Sequence, residues 1–176
     1  NPVGSRGHTN EILHPQVSYD FQAPIGEFGE VRDAARFVKL LHYFFHAFGE
    51  ALAPMQVRLP AGAAEISPDD DHSLRWSARS RGDSGFVFLN NFQDHLQTQP
   101  HEHFSLKLNL PDQTICIPSS GDLTLLPDAA CIFPFNLDLA GLRLESATAQ
   151  PLTVLRSPGE THNFFFAPEG IQPRYV

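Results

Sequence analysis

Long apolar runs, basic clusters and cysteine are what this 176-residue chain has least of. No stretch approaches the roughly 20 consecutive apolar residues of a membrane-spanning helix, and no signal-peptide pattern opens the chain, so it is expected to be soluble. Twelve Lys and Arg stand against 20 Asp and Glu, a formal net charge of −8. Without a Lys/Arg-rich run to offset that charge locally, nucleic acid and anionic membranes are poor partners. A neutral ligand such as a sugar is compatible. The two cysteines, Cys116 and Cys131, lie among apolar residues and lack metal-type spacing. Both read as buried free thiols rather than as a disulfide. Nucleophile elbows, phosphate-cradling Gly loops and Cys/His catalytic pairs are missing as well, which leaves most enzyme classes without a foothold.

A chain of this length fits one medium domain, or a small domain carrying part of another, and falls far short of the roughly 250 residues of a complete α/β barrel. The polar opening Asn1-Pro2-Val3-Gly4-Ser5-Arg6-Gly7, without an initiator Met, suggests a fragment or processed chain. Residues 1–16 read as loop. Val17, Tyr19 and Phe21 then alternate with Ser18, Asp20 and Gln22, the pattern of a short strand with one buried face. Pro24 ends that strand, and Ile25 to Gly29 should turn.

From Glu30 to Leu52 apolar residues recur at helical spacing, with Arg32, Arg36, Lys39, His46 and Glu50 on the opposite stripe. Val31, Val38, Leu41, Phe45 and Phe48 make one apolar row, and Phe37, Leu40 and Phe44 a neighbouring one. Two rows want two partners, so self-association through this helix is expected. Residues 53–72 read as a linker with one short strand near Met55 to Leu59. Beyond it the composition turns to β. Nine short runs follow: 74–80, 85–90, 104–110, 113–117, 122–126, 130–135, 142–146, 152–156 and 162–167. Turn chemistry such as Asp83-Ser84-Gly85 and Ser119-Ser120-Gly121 separates them. The expectation is a mainly β chain, an antiparallel sandwich-like domain over 73–176 preceded by one long amphipathic helix.

The phrase Tyr19-Asp20-Phe21-Gln22-Ala23-Pro24 with Gly26-Glu27-Phe28-Gly29 resembles the S-Y-D-Y-D-A-P-L-x-E-Y-G segment that follows the last barrel strand in glycoside hydrolase family 35, the β-galactosidases. Phe86 to His95, Phe133 to Leu137 and Ala147 to Leu152 are also similar to bacterial members, and Asn1 matches the last residue of the family's G-G-T-N motif. The resemblance implies that 1–52 is the end of the catalytic (β/α)8 barrel, its last β-to-α loop and helix. It also implies retaining, metal-free hydrolysis of terminal β-galactosides, with both catalytic glutamates upstream of this sequence. No catalytic residue and no cofactor is then expected here, and the isolated chain should be inactive. Substrate contact falls to Tyr19, Phe21 and Asp20. Phe21 replaces the usual second tyrosine and Gln22 the usual Asp, which removes a hydroxyl from the implied pocket. Read by themselves, Tyr19 and Phe21 equally fit packing beneath a loop, and Asp20 fits a loop-orienting role. A free-standing carbohydrate-binding or structural β-sandwich module is the alternative.

Four further groups carry chemistry on paper. Retention needs two carboxylates about 5 Å apart across one bond, and the spacing of Asp20 and Glu27 does not impose that geometry. His101-Glu102-His103 would put both imidazoles on one face of a strand, and His42 and His46 sit four apart on the helix. Both spacings suit zinc, but neither finds a third ligand, so no metal is expected. Asp69-Asp70-Asp71 lacks the Gly and closing Glu of a calcium loop and reads as a solvated turn.

Overall fold

The computed structural model describes residues 23–94 and 96–176. The chain divides into two compact units, 1–46 and 47–176. It is mainly β, with one helix followed by antiparallel sheets. None of its described helices is long and apolar enough to cross a membrane.

In the first unit the expected turn is present. Ile25 pairs with Val31 across an isolated antiparallel bridge, and Gly29 N–H donates to Gly26 O at 2.9 Å. Gly29 has φ of 84°, a left-handed conformation that glycine adopts without a Cβ clash. The turn feeds helix α1 (Asp33–Leu52), whose first turn carries Asp33, an acid placed favourably toward the positive end of the helix dipole. The helix ends where Ala53 N–H donates to Gly49 O and Met55 N–H to Leu52 O, just around Pro54.

The two apolar rows expected along α1 are not what separates buried from exposed residues. Phe44, Phe48 and Leu52, spaced four apart, are the buried row, with Phe44 fully so. Phe37 is 70% exposed, and Leu40, Leu41 and Phe45 are exposed with it. Burial therefore follows position along the helix and draws Phe44 and Phe48 from different expected rows.

The second unit is built on a five-stranded antiparallel sheet in the order β1-β2-β3-β8-β9. Its strands are β1 (Gln56–Arg58), β2 (Arg75–Arg81), β3 (Ser84–Asn90), β8 (Ala130–Leu139) and β9 (Leu142–Ser146). Register fixes two distinct faces. Ala78 opposes Val87 and Val87 opposes Phe133, while Trp76 opposes Leu89 and Leu89 opposes Cys131, all on one face. Phe86 and Phe88 oppose Pro134 and Ile132 on the other. The first face packs with Leu106, Leu108, Ile115, Ile117, Leu123, Leu125 and Ile171 into the hydrophobic core. Those residues come mostly from two ladders, β5 (Leu106–Asn109) with β6 (Thr114–Ile117), and β4 (His101–Phe104) with β7 (Leu123–Leu125). The second face receives the end of α1, where the Phe48 ring meets Phe86 edge-on with centroids 5.7 Å apart. Cover on both sides explains why Cys131 to Leu137 is a continuously buried run rather than an alternating one.

Three elements depart from expectation. The single run 104–110 is two strands with different partners: β4 ends at Phe104 and pairs with β7, and β5 begins at Leu106 and pairs with β6, while within β4 His103 takes φ of 55° and the register shifts. The strand expected over 130–135 continues to Leu139. The chain end, for which no element was expected, lies along the end of β9 and the residues that follow it: Glu145 N–H donates to Val176 O, Val176 N–H to Ser146 O, and Thr148 N–H to Arg174 O. A hairpin of β10 (Gln150–Ser157) and β11 (Glu160–Phe166) completes the unit, with Phe165 stacked edge-on to Tyr175 at 5.6 Å.

Candidate ligand-binding sites

Tyr19, Asp20 and Phe21 lie outside the described residues, so the half of the sugar-binding phrase that carries its aromatics has no geometry to report. The other half forms a closed turn. Gly26 N–H donates to Glu30 O at 2.9 Å, Phe28 N–H to the Glu30 carboxylate at 3.1 Å, and Arg32 N–H to Pro24 O at 3.0 Å. The Arg32 guanidinium also donates to the carbonyl of Ala23. A Cβ at Gly26 would meet the ends of the Glu30 and Arg32 side chains, which can swing aside. Glu27 sits exposed on this turn.

The His101-Glu102-His103 segment does not present one face. At the left-handed His103 the alternation fails, and the two imidazoles acquire different neighbours. His103 Nδ1 lies 2.6 Å from Asp122 Oδ2, and this hydrogen bond raises its pKa above the ordinary histidine value. His101 is partly buried, and desolvation lowers its pKa, opposed by the charge of Asp70. His42 and His46 are exposed on the helix. Among the described residues no group of three His, Cys, Asp or Glu side chains converges as a metal site would require.

Asp70 is the working member of its acidic run. Its carboxylate accepts Ser73 Oγ at 2.7 Å, Ser73 N–H at 2.9 Å and His72 N–H at 2.9 Å. Those bonds, the Ser73 hydroxyl foremost, hold its pKa down at about 2. The oxygens serve the turn itself. Both cysteines are free thiols. Cys131 is buried, and burial pushes its pKa up to about 12. Cys116, expected to be buried, is exposed, because β6 alternates and turns Ile115 and Ile117 inward instead.

A cleft of about 600 Å³ lies in the second unit. Trp76, Ala78 and Ser80, from one face of β2, line it together with the segment Lys107 to Pro111. Arg58 at the end of β1, followed by Leu59, Pro60 and Ala61, lines it as well, as does Phe135. Trp76 is partly buried against the core and still lines the cleft. Charge here runs against the whole chain: among the described lining residues two are cations, Arg58 and Lys107, and none is a carboxylate. Arg58 Nη2 donates to Gln56 Oε1 at 2.7 Å, a neutral partner that orients the guanidinium without cancelling its charge.

Sequence reading placed Trp76 in a strand and passed over it as a site residue. The signal was available: the chain's single tryptophan alternates with small Ala78 and Ser80, an arrangement that leaves space beside the indole. What no local pattern supplies is the rest of the lining, which depends on the position of the 107–111 segment. Comparison with protein-family models and with curated proteins gives no match to the chain.

Proposed function

We propose that this chain is a non-catalytic piece of a β-galactosidase-like glycoside hydrolase. It would supply the last β-to-α loop and helix of the barrel, and the β domain that follows. The parent enzyme would cleave terminal β-galactosides with retention, using an acid/base glutamate and a nucleophilic glutamate outside this sequence. The observation that carries the reading is the order of parts after the Tyr19 phrase. A closed Gly26–Gly29 turn leads straight into a 20-residue helix that leaves Phe37, Leu40, Leu41 and Phe45 exposed. Apolar surface of that extent supports a helix shaped to pack on a further body. Tyr19 and Phe21 would contribute an aromatic wall to the sugar pocket, with Asp20 orienting the loop.

Assaying this chain and its parent side by side on an aryl β-galactoside tests the proposal. Activity is expected in the parent alone. Activity that tracks the purified 176-residue chain and disappears in Glu27→Gln would overturn it, as would a parent inactive on every β-galactoside tried.

A further inference from the structure

We infer that the Trp76 cleft is a binding site for an acidic saccharide, a sugar chain whose pyranose rings carry carboxylates. The inference uses residues 56–135 alone and does not rest on the barrel reading.

Size comes first. A volume of about 600 Å³ falls within the roughly 300–1,000 Å³ of small-ligand sites and has room for more than one pyranose ring. Its walls are amphipathic in the way a sugar requires. The indole of Trp76 offers an apolar face to ring C–H groups, and Ser80 and Asn109 offer neutral donors and acceptors to hydroxyls.

Charge then selects among sugars. Arg58 and Lys107 both line the cleft, and the described lining has no carboxylate to neutralise them. The chain as a whole carries a net charge of −8, opposite in sign to this lining. The Arg58 guanidinium, oriented by Gln56, keeps further N–H groups for a carboxylate, and Lys107 adds a second positive charge. A nucleic acid needs a continuous basic track along its backbone, and the −8 chain lacks one.

Trp76 is the only tryptophan, so intrinsic fluorescence reports on this cleft without labelling. Titration of the full chain with trigalacturonic acid is expected to give a saturable change, weakened by added salt. Neutral galactotriose should bind at least about tenfold more weakly. Arg58→Gln and Lys107→Gln should each weaken the acidic ligand by about tenfold while leaving the thermal midpoint unchanged, since both positions are exposed. Equal affinity for the neutral trisaccharide would overturn the inference. So would wild-type affinity in both variants, or the same saturation with benzoate or inorganic phosphate, which would mark a general anion pocket. No saturable change at any accessible concentration would overturn it too. None of these outcomes touches activity of the parent on β-galactosides, so the two proposals fail separately.

Discussion

The side-chain amide of Asn91 donates to the carbonyl of Leu126, 35 positions along the chain, at 2.9 Å. The same nitrogen lies 2.9 Å from Gln99 O and 3.2 Å from Leu125 O, and Asn91 is buried. Its own backbone carbonyl accepts Thr98 Oγ1 and Asp128 N–H. One residue thus ties the segment after β3 to the segment after β7. Asn91→Ala would leave buried carbonyls without a donor and is expected to cost about 2 to 3 kcal/mol. Urea unfolding would show it as a lower midpoint with an unchanged slope.

Gly85 sits where three strands crowd. A Cβ there would come within 2.1 Å of Arg79 O and 2.8 Å of the Phe135 ring, and a backbone atom cannot swing aside as a side chain can. Gly85→Ala should destabilise the second unit by roughly 1 to 3 kcal/mol through overpacking. Gly141, with open space around its Cβ position, has a φ of 93°. Loss at Gly141→Ala would therefore come from backbone strain alone. Melting curves of the two variants would separate clash from strain.

The two histidines of the 101–103 segment should titrate on opposite sides of the roughly 6.5 of a free imidazole. His103 is raised by Asp122, so its contribution to stability is present below the unfolded pKa and is lost as pH rises through the folded one. His101 is lowered by desolvation, so it contributes above the unfolded pKa and loses that as pH falls through the folded one. NMR titration of the ring protons should resolve both shifts. Asp122→Asn should return His103 to the ordinary range and leave His101 where it was.

Thiol chemistry should distinguish Cys116 from Cys131. An aqueous disulfide reagent is expected to modify one equivalent in the native chain, at Cys116, and a second only after denaturation, because Cys131 is buried and its thiol is held protonated. Mass spectrometry of the modified peptides identifies the site. Two rapid equivalents in native buffer would contradict the placement of Cys131 in the core.

Concentration-dependent self-association is expected from the exposed part of α1. Phe37, Leu41 and Phe45 are left in water, and burying each would be worth roughly 1.5 to 3 kcal/mol. Phe37→Ser with Phe45→Ser should reduce dimers in sedimentation velocity and leave the melting temperature nearly unchanged. A strictly monomeric chain at high concentration would show that this surface does not pair with itself.

What could be read from the sequence follows from which interactions are local. The helix came within three residues of its start and met its end at Leu52, since periodicity and Pro54 are both local signals. Turn residues such as Asp83 and Gly121 marked the strand spacing for the same reason. The failures are long-range. The 104–110 run was divided between two partners, the adjacent β6 and the more distant β7, and the row of α1 that is buried was decided by tertiary packing. Cys116 faces outward because β6 alternates against β5, a register that flanking apolar residues do not reveal. Trp76 was visible as a residue, but a cleft needs two walls, and the second came from 30 positions away.

The cleft carries its own optical ruler. Trp76 and Lys107 both line it, and Lys107 is registered directly against Cys116, the accessible thiol. An acceptor dye attached at Cys116 would have a single natural donor in the chain, without a single engineered residue. Energy transfer between them would follow the distance from Trp76 to the β5–β6 ladder, in the free chain and as the cleft fills.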